Sequence, residues 1–231
     1  MSERRPSIAV VDYGMGNRRS VEKALQRVGA TATITDDYQQ LRAASALVLP
    51  GVGAFPQGMR NLHERGLDTL LQERATAGTP LLGICLGMQL LLESSQELGR
   101  RTPGLGLISG HVRLLDGHGL RVPHIGWNEV RFERSSVLTS DLAANGCPFY
   151  HVHSYVAADL EPADVVGTTE YGERFPTLVA HQNVYGTQFH PEKSSRDGLL
   201  LLSAFVRLVE QLTFQAVEPR GLATSARSEP L

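Results

Sequence analysis

The chain is poor in cysteine, in aromatic rings and in net charge, and it has no long apolar run. Two cysteines in 231 residues, Cys85 and Cys147, exclude a disulfide framework and fit a reducing compartment. A formal net charge of −2 leaves no whole-chain electrostatic footprint for nucleic acid or another polyanion. The most apolar stretch, residues 80–92, is interrupted by Gly83, Gly87 and Gln89 and is too short to span a bilayer. No hydrophobic signal region follows residues 1–6, so no secretory leader is expected. These absences lead to the expectation of a cytoplasmic protein with neither membrane nor nucleic-acid partner.

What is present is an α/β rhythm. Apolar segments at 8–11, 31–35 and 46–49 read as buried strands, with a helix over 20–28 that stops at Gly29. A helical region over 55–77, broken near Gly66, leads into another apolar strand that ends at Cys85. Such alternation implies a parallel sheet covered on both faces, with ligands at the carboxyl ends of its strands. The second half is richer in strand-like segments, at 110–115, 128–132, 148–153 and 165–169, with a hairpin over 177–190. A helix over 196–212 carries Leu199, Leu202, Val206 and Val209 on one stripe. Residues 1–215 read as one domain, and 216–231, rich in Pro, Ser, Thr, Gly and charge, as a disordered tail.

The chemistry concentrates at Gly83-Ile84-Cys85-Leu86-Gly87. An apolar strand ending in Gly-x-Cys-x-Gly before a helix-compatible run has the pattern of a nucleophile elbow with cysteine as the nucleophile. A lone cysteine after such a strand is equally compatible with an inert core residue. As base, His190 follows the strand-like run 184–189, and Glu192 lies just beyond Pro191, where a carboxylate can fix the imidazole tautomer. A surface His-Pro-Glu turn is the plainer alternative. Oxyanion donors are expected from the Leu86 N–H and from Val52 and Gly53 in the Pro50-Gly51-Val52-Gly53 loop. Gln89, one helical turn beyond Cys85, is placed to reach a substrate. Replacing Gly51 or Gly53 by a β-branched residue is expected to impair activation more than folding. His151 and His153 have the spacing of two metal ligands on one strand face, but a metal site needs a third and usually a fourth donor. No metal and no cofactor are therefore expected. His124 reads as a binding-loop residue or a packed one.

Taken together, the segments 83–89 and 186–192 resemble the active-site motifs of class I glutamine amidotransferases. Three further stretches, 12–17, 50–53 and 122–128, resemble the glutaminase subunits of imidazole glycerol phosphate synthase. The resemblance runs over about 8–212. His151 departs from it, standing where that family more often has an aromatic or apolar residue. The resemblance implies a flavodoxin-like class I glutamine amidotransferase fold, with a mixed, mostly parallel central sheet flanked by helices. It implies a glutaminase working in a heterodimer with a (β/α)₈ cyclase subunit. It further implies a Cys85–His190–Glu192 triad, and glutamine contacts from Gln89, Glu97 and the 153–155 segment, including Ser154 and Tyr155. Asn17, Trp127, Tyr150 and Lys193 are implied to face the partner or the ammonia path. An amidotransferase for another acceptor, a stand-alone γ-glutamyl hydrolase and a non-catalytic scaffold stay open at this point.

Overall fold

The computed structural model describes residues 5–217. The expected strands form, with ends that shift by up to four residues, as in the strand that starts at His124 rather than 128. Strand β1 (Ser7–Val11) leads into α1 (Arg18–Arg27), which begins two residues before the expected helix. Strand β2 (Thr31–Thr35) is followed by a short helix that sequence periodicity did not reveal, α2 (Tyr38–Ala43), capped by the Asp37 side chain accepting from Gln40 N. Strand β3 (Ala46–Gly51) precedes α3 (Phe55–Glu64) and α4 (Leu67–Thr76). These two are separated at Gly66, whose φ of 62° stops the first helix as its composition suggested. Strand β4 (Leu81–Cys85) then gives way to α5 (Leu86–Leu90), a single short helix.

The second half supplies β5 (Leu92–Ser95), β6 (Thr102–Pro103), β7 (Ile108–Leu114), β8 (His124–Phe132), β9 (Cys147–His153), β10 (Tyr155–Ala158), β11 (Val165–Tyr171), β12 (Glu173–His181) and β13 (Val184–Thr187). The long helix α6 (Ser195–Val217) closes the described chain. It includes residues 216 and 217, which were expected to begin the tail. Residues 218–231 of that expectation lie outside the described residues.

Nine strands make one mixed sheet in the order β2-β1-β3-β4-β13-β12-β11-β8-β9, and a four-stranded sheet, β10-β7-β5-β6, lies apart from it. The first five strands of the large sheet are mutually parallel, in the 2-1-3-4-5 order of flavodoxin-like folds. The remaining four add antiparallel. The period-two alternation of β1 explains why the sheet needs cover on both sides. Ile8 and Val10 join a core with Val21 and Leu25 of α1 and Leu202, Phe205 and Val209 of α6. Ala9 and Val11 face a second core with Leu41, Leu62, Leu70 and Leu71 from α2, α3 and α4.

The antiparallel half positions the site. It carries β9 back toward the carboxyl ends of β4 and β13, where His190 N donates to Tyr150 O at 2.9 Å. Strand β9 thereby becomes a wall beside Cys85 rather than a remote edge. Phe205 is fully buried between α6 and the sheet. Phe205→Ala should cost about 3–5 kcal/mol of unfolding free energy, read by urea denaturation; a loss under about 1 kcal/mol would show that α6 does not belong to the core.

Candidate active site

Cys85 ends β4 with φ 56° and ψ −111° and serves as the N-terminal flanking residue of α5. This is the strained strand-to-helix turn that the Gly-x-Cys-x-Gly pattern predicts. The glycines are there for space. A Cβ on Gly87 would collide with the Leu49 carbonyl oxygen, and one on Gly83 would stand 2.7 Å from the Gly87 backbone. The second cysteine is no competitor: burial, with Asp197 and Glu129 adding to it, pushes the Cys147 thiol up to about 12, which suppresses the reactive thiolate.

Residues from four parts of the chain meet at this turn. In the β3–β4 register Gly51 sits directly beside Cys85, which places the 51–53 loop against its sulfur-bearing turn. A cavity of about 440 Å³ is lined by Cys85, Val52, Gly53, Leu86, Gln89, Glu97, Ser154, Tyr155 and Lys193, with Val152 and His153 completing its wall. The Cys85 Sγ lies 3.9 Å from Val152 O and 3.7 Å from Gln188 Nε2. Gln188 was not singled out in sequence, although it sits inside the second motif. It is fully buried and accepts from Gln89 Nε2 at 2.9 Å, while Gln89 also donates to Tyr155 O at 3.0 Å. Gln89 therefore braces the wall of the cavity as well as lining it.

His190 and Glu192 pair as expected, Nδ1 to Oε1 at 2.9 Å, both side chains almost wholly buried. The surface-turn alternative is thereby excluded. The segment is held by Ser194, whose hydroxyl donates to His190 O at 2.6 Å and accepts from Tyr150 N at 3.0 Å. Burial opposes charge on His190, but the adjoining Cys85 sulfur and the Glu192 carboxylate outweigh it and raise the pKa to about 9. His190 Nε2 and Glu192 Oε2 are buried without hydrogen-bond partners.

Other expected residues are placed differently. Glu97 lines the cavity, but its carboxylate also accepts from Phe55 N at 2.7 Å and so satisfies the start of α3. Asn17 precedes α1 and makes no capping hydrogen bond through its side chain. Trp127, 53% exposed, meets Tyr150 edge-on at 6.2 Å, and Lys193 Nζ stands 6.0 Å over the Tyr150 ring. These three form a continuous row beside the cavity. His124 is packed, not in a loop: it opens β8 and is 2% exposed.

Residues 9–207 match the family model described as glutamine amidotransferase class-I. A curated relative, the imidazole glycerol phosphate synthase subunit HisH of Moorella thermoacetica, is 50% identical over 202 residues, 87% of this chain and 95% of its own. The chain belongs to the HisH family of class I glutamine amidotransferases. The HisH subunit of Listeria monocytogenes serotype 4b is 46% identical over 203 residues, 87% of this chain and 96% of that one. Among solved structures, PurLQS from Thermotoga maritima aligns with a TM-score of 0.71 at 18% identity, covering 89% of this chain and 99% of that chain. A crystal structure of a glutamine amidotransferase aligns at 0.68 and 22% identity, covering 87% and 98%. These two establish the shared class I fold alone.

The two loop glycines part company. A Cβ on Gly51 would stand 2.6 Å from the Tyr13 hydroxyl and 2.8 Å from Gly87 N and Leu86 Cβ, inside the fixed elbow. The expectation that substitution at Gly51 spares folding is therefore corrected, because the neighbours include backbone that cannot give way. Gly53, at φ 115°, would meet only the flexible end of Met15. Gly53→Val should lower glutamine turnover by roughly 10²–10³, the cost of one lost oxyanion donor, with a stability loss limited to the about 1–3 kcal/mol of backbone strain at its positive φ, whereas Gly51→Val, which also meets fixed backbone, should destabilise the fold by more. Equal melting losses in both, by scanning calorimetry, would contradict this division.

The His190 shift has a sign that pH tests. Its imidazolium persists up to about 9, so kcat/KM for glutamine should fall as pH rises through that value and the proton for the leaving nitrogen is lost. In Glu192→Gln the anion that favours the imidazolium is gone, and the descending limb should move to lower pH. An unmoved limb in the variant would sever Glu192 from the function of His190.

Proposed function

We propose that this HisH-family chain is the glutaminase of imidazole glycerol phosphate synthase, with Cys85, His190 and Glu192 as its catalytic triad. The observation that carries the triad is Cys85 in a strained elbow, lining one cavity, beside a buried His190–Glu192 pair at 2.9 Å. The Cys85 thiolate attacks the side-chain carbonyl carbon of glutamine. The developing oxyanion is held by the Leu86 N–H, which heads α5 and has no partner within it, and by a peptide N–H of the Val52–Gly53 loop. His190 gives its proton to the departing nitrogen, so that ammonia leaves and a γ-glutamyl thioester remains. The neutral imidazole then takes a proton from water, whose oxygen attacks the thioester and releases glutamate and the thiolate. Glu192 keeps the imidazole in the tautomer this cycle needs. Gln89, Glu97, Ser154 and Tyr155 hold the substrate's amino-acid end.

Ammonia passes to the cyclase subunit, a (β/α)₈ barrel in this reading. There it joins a phosphoribulosyl-formimino carboxamide nucleotide to give imidazole glycerol phosphate and aminoimidazole carboxamide ribotide for histidine synthesis. The docking face we assign to that partner contains Ile125 and Trp127, 60% and 53% exposed on β8, with Tyr150 and Lys193 next to the cavity and Asn17 at the foot of α1. Large exposed apolar groups in one patch suit burial by another protein. Among the described residues no helix is long and apolar enough to cross a membrane. Two free, buried cysteines support placing the enzyme in the cytoplasm.

The test is glutamate release from glutamine by the purified chain, alone and then with the cyclase and its nucleotide. Slow release alone with a large rise on adding the loaded partner is expected. Rapid release unaltered by the partner would instead make this a stand-alone γ-glutamyl hydrolase.

A further inference from the structure

Three histidines that take no part in the proposed proton transfers are gathered behind β9. His151 and His153 project from one face of that strand, and the β8–β9 register sets His124 opposite His153. The donor missing from the sequence pattern thus arrives from the neighbouring strand. Their exposures are 0%, 7% and 2% respectively.

The nitrogens converge. His124 Nδ1 and His151 Nδ1 each lie 3.3 Å from His153 Nε2, and one ligand atom from each ring falls within 4.8 Å of the others. Nitrogens bound to a tetrahedral zinc-type ion at about 2.0–2.1 Å stand about 3.3 Å apart. The two short edges therefore already have the ligand spacing of such a site. We propose that His124, His151 and His153 bind one divalent cation of the zinc class.

The hydrogen bonding leaves one ring of the cluster unsatisfied. His153 Nδ1 donates to Tyr155 O at 3.1 Å, which leaves Nε2 as a lone pair aimed into the cluster, the outer-shell arrangement usual for a metal-bound imidazole. That single lone pair faces two other nitrogens and can accept from only one. Asn128 Nδ2 donates to His124 Nε2 at 3.3 Å, which leaves Nδ1 of His124 as the N–H that fills it. His151 is the ring left over, and its fully buried Nε2 has no partner at all. Without a cation one buried imidazole is therefore left uncompensated. Phe189, Phe175 and Tyr171 contact the rings at centroid distances of 5.8, 5.5 and 4.0 Å and form a largely aromatic shell. His153 also lines the Cys85 cavity, which supplies a route inward.

The test is a Co²⁺ titration of the untagged full chain, with and without Cys85→Ser, followed by displacement with Zn²⁺. Expected are one equivalent bound in both forms, the visible bands of nitrogen-coordinated tetrahedral cobalt, and loss of the bands on adding Zn²⁺. In the Cys85→Ser background His151→Phe, which keeps the ring volume, should weaken binding by more than the roughly 10–100-fold that an outer partner is worth. Should that variant fail to fold, judged by circular dichroism, His124→Phe serves the same purpose. A thiolate-to-cobalt band that vanishes with Cys85→Ser and leaves no bound ion would overturn the proposal. So would unchanged affinity in a folded histidine variant, or no stoichiometric binding.

Discussion

The closeness of the β4–α5 turn to β3 is the constraint on which the rest of the site depends. Cys85 can project its sulfur only because the chain turns at a positive φ, and it can turn there only because position 87 lies against the Leu49 carbonyl without a side chain. This approach also fixes Gly51 beside Cys85 in the sheet register. Cys85 and the 51–53 loop are thus set by one backbone contact, not by two independently adjusted loops. The strain at Cys85, of order 1–3 kcal/mol, is tolerable because β4 is buried on both faces and its neighbours β3 and β13 are themselves core strands.

The parallel half of the fold was legible in sequence because its signals are local. Apolar runs such as 46–49 and the glycine stops at 29 and 66 fall where the strands and helices begin or end. What escaped was set by tertiary context. Helix α2 has six residues and one buried side chain, Leu41, too few for a visible period. Strands β5, β6 and β10 belong to a separate small sheet whose pairing joins distant segments, and no local pattern announces it. In the site, Cys85, His190 and Glu192 were readable from spacing, whereas Gln188 was not. A buried glutamine earns its place only through partners 99 and 103 positions away. The histidines make the same point: two were visible as an i, i+2 pair, and the third required knowledge of strand pairing.

Several residues serve packing and chemistry together. Glu97 borders the cavity while satisfying the head of α3, and Gln89 borders it while bracing Gln188 and the β10 backbone. Ser194 joins the His190 loop to β9 at the point where α6 begins. The long helix α6 is thereby anchored at His190, and the stability of the outer layer and the alignment of the imidazole share one hydroxyl.

Strand β9 also sets a length scale for communication. Tyr150 belongs to the surface row with Trp127 and Lys193, and Val152, two residues further on, presents its carbonyl to the Cys85 sulfur. Along an extended strand that separation is roughly 7 Å. The outer face and the Cys85 sulfur are therefore joined through two peptide units of one strand, with no relay of side chains between them.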